Sequence, residues 1–253
     1  MRLQHVRVGA IALIVAALAV SAWVADAGAE EGFTSLFNGK DFSGWTVPEG
    51  DNGHWRVVDG VIDYDAESEA PGKDKNLWTE KEYGDFVLRC EWRIKETPYM
   101  NSKIPVLRFD GSHKLDAAGK PITVTMPDSD SGIYIRGTSK AQINIWCWPC
   151  GSGEVYGYRM DQSQPADVRA GVTPKLNADN NIGEWNKFEL TVRGETLSVV
   201  LNGKQVLQNA RLPELPPTGK IALQHHGSKK DGQWTSPPAL VQFRNIEIKE
   251  LSK

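Results

Sequence analysis

The feature that most constrains the fold is the alternation of apolar and polar residues in short segments separated by turn residues. In residues 86–94, Leu88, Cys90 and Trp92 fall on one face of an extended chain, and charged residues fall on the other. Asp-Gly at 59–60 and Asn-Gly at 202–203 are hairpin signals. Similar alternating segments occupy residues 55–58, 61–64, 133–136, 141–146, 188–193, 197–201, 221–226 and 241–251. Long helical periodicity is absent, so the sequence predicts an all-β sandwich or barrel.

The N-terminal segment has the layout of a secretory signal peptide. Arg2 and Arg7 flank its start, an apolar run covers residues 8–24, and small residues at 25–29 offer cleavage sites. An uncleaved anchor is the alternative, because the run is nearly long enough to span a bilayer. We predict a signal peptide over residues 1–29, one domain over residues 30–253, and export to the periplasm or the medium. We expect no other membrane contact.

The composition narrows the choice of partner. A net charge of −3 and the lack of a basic stripe make nucleic acid a poor candidate. Nine tryptophans favour a carbohydrate partner, because flat aromatic faces pack on sugar rings, although tryptophan also fills cores. The long connection over residues 97–130 contains possible strands at 104–109 and 122–125 and is a candidate excursion over one face of the sandwich.

The cysteines and a run of acidic residues raise the question of metal or redox chemistry. Cys147 and Cys150 have redox-like spacing, but loop sequence follows them, which favours a local disulfide or free thiols. Cys90 is expected to be a buried apolar residue. The carboxylates at positions 63, 65, 67 and 69 either hold a Ca²⁺ or form a solvated loop, and the sequence assigns no metal ligand. A structural Ca²⁺ site elsewhere in the chain is a further alternative.

Nine motifs in the same order resemble the 3-keto-disaccharide hydrolase family and cover nearly all of the mature chain. They are residues 33–45 (FTSLFNGKDFSGW), 55–62 (WRVVDGVI), 78–86 (WTEKEYGDF), 91–93 (EWR), 130–137 (DSGIYIRG), 183–186 (GEWN), 201–204 (LNGK), 223–227 (LQHHG) and 243–251 (FRNIEIKEL). The resemblance implies a single concanavalin A-like jelly-roll sandwich of two curved antiparallel sheets. It also implies a concave sugar-binding face and cleavage of glycosides whose sugar carries a 3-ketone.

Two features depart from the family pattern. The family places a Glu two residues before a Gln on the strand after the Arg-Gly segment, where this chain has Gln142 and Asn144. The connection over residues 97–130 is also longer than usual. A retaining glycosidase needs two carboxylates about 5 Å apart, and residues 142–146 hold none. A ketone at C3 offers another route, in which a base removes the C2 proton and the C1 substituent leaves by elimination.

This chemistry selects the candidate site residues. His226 is the candidate base, because alternation over residues 221–226 turns Gln224 and His226 away from the core. Arg136 is a candidate catalytic residue that binds the sugar hydroxyls or polarises the ketone, and the alternative is a structural ion pair, such as one with Glu91. Glu91 is a candidate catalytic acid or metal ligand. Glu154 is a weaker candidate to replace the missing carboxylate. The expected substrate-binding side chains are Tyr134, Gln142, Asn144, Trp146 and Gln224. The alternative function is a non-catalytic, lectin-like module that binds oligosaccharides or glycosides.

Overall fold

The computed structural model describes residues 32–252, so the predicted signal peptide lies outside the described residues. Two short helices, α1 (Tyr156–Met160) and α2 (Ala166–Gly171), accompany the strands of this range. No helix within residues 32–252 combines the length and apolar character needed to cross a membrane. The strands are β1 (Thr34–Ser35), β2 (Trp45–Thr46), β3 (Trp55–Val58), β4 (Val61–Tyr64), β5 (Leu77–Tyr83), β6 (Phe86–Ile94), β7 (Tyr99–Pro105), β8 (Thr123–Asp128), β9 (Asp130–Ile135), β10 (Thr138–Trp146), β11 (Asn186–Arg193), β12 (Thr196–Leu201), β13 (Lys204–Arg211), β14 (Gly219–Leu223), β15 (Ser228–Lys230), β16 (Gln233–Ser236) and β17 (Val241–Glu250).

Two antiparallel sheets form the body of the molecule. The eight-stranded sheet has the order β13-β12-β11-β6-β17-β4-β3, with β1 paired to β17. The five-stranded sheet has the order β10-β9-β14-β5-β2, and β7–β8 and β15–β16 form separate hairpins. The fold class predicted from the sequence, an all-β, concanavalin A-like jelly-roll sandwich of two antiparallel sheets, is confirmed.

The alternation along the strands separates the core from the surface. Leu88, Cys90 and Trp92 on β6 are each 1 % exposed, while the residues between them are half-buried. On the opposing sheet, Ile143 and Ile145 of β10 lie in the same core. Because side chains alternate along a strand, Gln142, Asn144 and Trp146 lie on the other face of β10. That outer face of the five-stranded sheet carries the candidate site.

The predicted hairpin turns have the expected backbone. Asp59 and Gly60 both have positive φ, at 50° and 78°, between β3 and β4. Asn202 and Gly203 repeat this conformation between β12 and β13, with φ of 51° and 76°. Two successive residues with positive φ match the twist of the flanking strands, so each dipeptide closes a tight hairpin.

Two boundaries differ from the sequence prediction. In the connection over residues 97–130, the strands are β7 and β8, which pair with each other. The predicted segment 104–109 extends beyond the end of β7, because Leu107 instead forms an isolated bridge with His113. In the segment 221–226, β14 ends at Leu223, so Gln224 and His226 belong to the following loop.

Candidate functional site

The pairing register of the five-stranded sheet brings polar side chains together on its outer face. Asp130 of β9 lies opposite Trp146 of β10, and Gly132 lies opposite Asn144. The chain after β14 continues beside β9, since the Gln224 amide donates to the Gly132 carbonyl at 2.9 Å. A cavity of about 270 Å³ opens here. Its lining residues are Asp130, Gln142, Asn144, Trp146, Trp148, Tyr156, Gln224 and His226.

The ring of His226 has a fixed tautomer. Its Nδ1 lies 2.6 Å from the Pro237 carbonyl oxygen, which can only accept a hydrogen bond. Nδ1 therefore carries a hydrogen, and in the neutral ring Nε2 holds the lone pair. Nε2 lies 3.9 Å from Oδ2 of Asp130, and the His226 side chain is 34 % exposed. The neutral imidazole is thus a base whose free nitrogen faces both the carboxyl group and the cavity.

Asp130 has the properties of a proton donor near neutral pH. Burial raises its pKa to about 7, His226 opposes this shift, and the neighbouring Asp128 carboxylate adds to it. Within residues 32–252, Oδ1 of Asp130 is buried without a hydrogen-bond partner. Because a carboxyl group with this pKa is partly protonated at pH 7, Asp130 and His226 form an acid and a base side by side.

Amide side chains form the floor of the cavity. Nε2 of Gln142 donates to Oε1 of Gln224 at 2.5 Å and to the Ser131 carbonyl at 3.3 Å. Asn144 is 3 % exposed, and its Nδ2 finds no acceptor among the described residues. An amide hydrogen buried without a partner is costly unless a ligand accepts it. Asn144 is therefore the donor best placed to bind an oxygen of a substrate.

A pair of stacked indoles forms one wall of the cavity. The rings of Trp146 and Trp148 lie 3.9 Å apart at an interplanar angle of 4°, and Tyr156 meets both edge-on. Nε1 of Trp148 donates to Oδ2 of Asp128 at 3.3 Å. Asp128 also accepts a hydrogen bond from Asn101 of β7 at 2.8 Å. The β7–β8 hairpin thereby holds the indole in place through a buried carboxyl group.

The sequence comparison identifies the family. Residues 32–249 match the 3-keto-alpha-glucoside-1,2-lyase-like domain. The chain belongs to this family. A search of curated proteins found no match. As a member of the lyase-like family, the chain is a carbohydrate-active protein.

Solved structures share the fold of this lyase-like domain. Two crystal structures of provisionally assigned glycosyl hydrolases from Parabacteroides distasonis ATCC 8503 align with it at TM-scores of 0.52 and 0.53. They are 21 % and 22 % identical to this chain and cover 87 % of it in both cases. The alignment covers 95 % and 84 % of their own chains. At this identity the likeness shows a common fold.

Five of the eight predicted site residues line the cavity of the lyase-like domain. A sixth, Tyr134, does not line it: Tyr134 is 8 % exposed, and burial raises its pKa to about 12. It lies opposite Gln142 in the pairing of β9 with β10. The five that line the cavity are His226, Gln142, Asn144, Trp146 and Gln224.

The structure places Arg136 outside the cavity and shows it in the ion pair that was its structural alternative. Its φ of 50° ends β9, and its side chain, 1 % exposed, turns away from the cavity. The guanidinium donates to the Asp85 carboxylate at 2.7 Å. It also donates to the carbonyl oxygens of Gly84, Gly194 and Pro216. Arg136 thus joins three loops and has a structural role.

Glu91 also lies outside the cavity. It lies on β6, in the eight-stranded sheet, and its carboxylate accepts a hydrogen bond from Nε of Arg244 at 2.8 Å. The other carboxylate considered from the sequence, Glu154, is fully buried and pairs with Arg159. Neither Glu91 nor Glu154 is among the described residues that line the cavity.

The structure also shows the state of the three cysteines and the contacts of the acidic run at residues 63–69. Cys147 and Cys150 are free thiols, and Cys90 is buried as predicted. The four carboxylates at 63, 65, 67 and 69 pair with nearby side chains, and Arg56 lies between Asp63 and Asp65 at 2.7 and 3.7 Å. Their contacts are Asp63 with Lys95, Asp65 with His54, Glu67 with Lys229, and Glu69 with Asn52. Among residues 32–252, no three acidic, histidine or cysteine side chains cluster as metal ligands.

Sequence reasoning missed Trp148, Tyr156 and Asp130 among the residues that line the cavity, and of these three Asp130 is the one with a carboxyl group. It opens the segment 130–137, which also supplies Gly132 and Tyr134. A signal was present, because Gly132 interrupts an apolar strand where close backbone approach is expected. An added Cβ at Gly132 would lie 2.6 Å from Nε2 of Gln142, so only glycine leaves room for the amide floor.

Proposed function

We propose that this chain is an exported enzyme that cleaves 3-keto-glycosides by elimination followed by hydration. The observation that carries the proposal is the pairing of His226 with Asp130 in a cavity whose floor offers the unpaired amide of Asn144 among the described residues. Family membership supports the substrate class. The apolar N-terminal run and the small residues after it support export.

The reaction needs a base, an acid and a donor to the ketone oxygen. Nε2 of His226 takes the proton from C2, and the freed electron pair forms an enolate whose oxygen accepts the amide hydrogen of Asn144. The enolate then expels the C1 substituent, so that C1 and C2 become doubly bonded as the C1–oxygen bond breaks. Asp130 protonates the departing oxygen.

Hydration completes the cycle with the same two groups. Water adds to C1 of the unsaturated sugar, and its proton passes to the Asp130 carboxylate, which returns to the acid form. The protonated His226 returns a proton to C2, so the free 3-keto sugar and the released alcohol are the products. The net reaction is hydrolysis, and no carboxylate nucleophile is required. This agrees with the lack of acidic residues on β10.

Deuterium incorporation tests the mechanism directly. The purified mature protein should release the alcohol from a 3-keto-glucoside in D₂O and place deuterium at C2 of the recovered sugar. The parent glucoside should stay intact, because only the ketone makes the C2 proton acidic enough for a protein base. Equal turnover of both substrates without deuterium at C2 would contradict the proposal and would point to a conventional hydrolase.

A non-catalytic carbohydrate-binding module is the second candidate function. The observation in its favour is the aromatic wall of Trp146, Trp148 and Tyr156, because aromatic faces also line binding sites that perform no chemistry. Saturable binding of a 3-keto-glucoside, with no product after prolonged incubation at any pH from 5 to 9, would favour this function over the enzyme.

A further inference from the structure

A short proline-containing segment contacts both His226 and the start of β9. It comprises residues 237–239 and lies between β16 and β17. Pro237 and Pro238 have no amide hydrogen, so these two residues cannot pair as an ordinary strand and bind their neighbours through their carbonyl oxygens. Pro238 is buried, although it belongs to a connection between strands. We call residues 237–239 the proline segment.

His226 is joined to the proline segment at two points. Its Nδ1 donates to the Pro237 carbonyl oxygen at 2.6 Å, and its own backbone carbonyl accepts the Ala239 amide hydrogen at 2.8 Å. Gly227 allows this close approach, because its φ is 120° and a Cβ there would lie 3.0 Å from Cα of Pro238. His226 and the proline segment therefore form one unit with a fixed ring orientation.

Ser129 connects this unit to the strand that carries Asp130. It directly precedes β9, is fully buried, and its Oγ donates to the Pro238 carbonyl oxygen at 2.5 Å. The same oxygen also accepts two amide hydrogens. The Asp130 amide lies 3.3 Å away, which is long for such a bond, and the Leu240 amide at 2.9 Å belongs to the same stretch of chain as Pro238. The Ser129 hydroxyl is thus the short hydrogen bond that joins Pro238 to the start of β9.

We propose that Ser129 is a positioning residue, which sets the separation of His226 from Asp130 through the proline segment. The inference rests on the proposed function for the roles of the two groups as base and acid. Ser129 is not among the described residues that line the cavity, so it acts through His226 and not on the substrate. A misplacement of about 1 Å can lower a rate about 10²-fold, so one hydroxyl group at this joint affects turnover.

Ser129→Ala tests the proposal by removing this hydroxyl group alone. The variant should fold, because the Pro238 carbonyl oxygen keeps its two amide donors. We expect kcat for a 3-keto-glucoside to fall about tenfold or more with KM unchanged, since the lining of the cavity stays the same. In the His226→Ala background the same substitution should change kcat less than about twofold, because the group that Ser129 positions is gone. An equal fall in both backgrounds would overturn the proposal.

A ¹³C NMR titration of the Asp130 carboxyl group tests the separation without any turnover. Among the described residues, two charged groups act on this carboxyl: His226 lowers its pKa and Asp128 raises it. His226→Ala should therefore raise the pKa of Asp130. This rise should be smaller when Ser129 is already alanine, because the interaction between two charges weakens with distance.

Ser131→Ala is the matched control for this titration. Ser131 is equally buried and lies on β9, but its hydroxyl donates to the Gln224 carbonyl oxygen at 3.0 Å. In Ser131→Ala, replacing His226 should raise the pKa of Asp130 as much as in the unmodified protein. The same rise with and without the Ser129 hydroxyl would overturn the proposal. A smaller rise in Ser129→Ala, in a protein that never cleaves a 3-keto-glucoside, would support the positioning of the two groups and reject the proposed function alone.

Discussion

At the scale of single residues, the Pro237 carbonyl oxygen fixes the tautomer of His226. Because this oxygen accepts the Nδ1 hydrogen, the lone pair of the neutral ring is held on Nε2, toward the cavity. The adjacent His225 is used differently: its Nδ1 meets the Tyr64 hydroxyl at 2.5 Å, and burial lowers its pKa to about 4. Of the two neighbouring histidines, His226 is the one that lines the cavity of the candidate site.

Replacing His226 with alanine tests this role. We expect kcat/KM for a 3-keto-glucoside to fall about 10²-fold or more, the usual contribution of a general base. His113 is the control, because it lies in the connection between β7 and β8 and does not line the cavity. Steady-state kinetics on both variants should show the loss in His226→Ala alone. An equal loss in both would contradict the assignment.

Asp130 should control the alkaline side of the pH profile. It protonates the leaving group only in its acid form, and burial raises its pKa to about 7, so kcat should fall as the pH rises above 7. In Asp130→Asn, kcat should be lower at all pH values and should no longer fall as the pH rises above 7. Asp167→Asn, in an exposed ion pair with Arg211, should keep the original profile. If kcat of Asp130→Asn still falls above pH 7, the fall belongs to another titrating group.

The sequence predicted some of these residues and missed others for physical reasons. Alternation placed Gln142 and Asn144 on one face of β10, because period-two geometry is local to a strand, whereas His226 lies in the loop after β14. Asp130 was missed because its raised pKa depends on burial against other parts of the fold. Arg136 lies off the cavity because its positive φ breaks the alternation at the end of β9.

At the scale of elements, the packing of β9 against β10 depends on the missing side chain of Gly132. A Cβ there would lie 2.8 Å from the Ile143 carbonyl oxygen, which belongs to the backbone and cannot move away easily. Gly132→Ala should therefore cost about 1–3 kcal/mol in the free energy of unfolding and raise KM. Gly72→Ala is the control, since its nearest neighbour would be 3.8 Å away. Urea unfolding and kinetics measure both effects.

Arg136 is expected to matter for stability and not for chemistry. Arg136→Met removes the donor to the carbonyl groups of three loops and the ion pair of Asp85, which keeps the Gly194 amide as a donor; this should cost about 3–5 kcal/mol. The kcat per folded molecule should stay unchanged. Arg211→Met removes an exposed ion pair and should cost at most about 1 kcal/mol. A stable Arg136→Met protein with a 10²-fold lower kcat would restore the catalytic hypothesis.

The elements themselves were largely predictable, whereas their registers were not. Asp59-Gly60 and Asn202-Gly203 determine their hairpins because the turn conformation is local. The pairing of β9 with β10 and β14 joins segments up to about ninety residues apart, and no local preference sets it. The cavity is a product of that register, so it could be recognised only in the folded molecule.

At the scale of the whole molecule, four carboxyl groups lie in surroundings that disfavour their charge. Burial raises the pKa of Asp128, Asp130 and Asp179, and that of Glu154 to about 7. Trp148 contacts Asp128. Asp130 lines the cavity of the candidate site, and Asp179 lines another cavity of about 350 Å³. A fold that keeps such groups near a binding surface is less stable when they must carry charge.

This arrangement predicts how stability changes with pH. An unfolded aspartate releases its proton near pH 3.9, but the folded groups retain theirs to higher pH. The folded state then binds more protons than the unfolded state, so the free energy of unfolding falls as the pH rises toward 7. His225, whose folded pKa is lowered, opposes this trend only below its unfolded value of about 6.5. Above pH 6.5, the carboxyl groups are the ones among these residues that change the free energy of unfolding.

We therefore expect the free energy of unfolding to decrease between pH 6.5 and pH 8, where Asp130 and Glu154 lose their protons. Asp130→Asn should gain stability relative to the unmodified protein as the pH rises, by about 2 kcal/mol or more from pH 5 to pH 8, because its amide never ionises. Urea unfolding at fixed ionic strength measures this difference, with Asp167→Asn as the exposed control. If this difference in the free energy of unfolding stays constant with pH, Asp130 has the same pKa in the folded and unfolded states. The raised pKa on which its role as the general acid depends would then be absent.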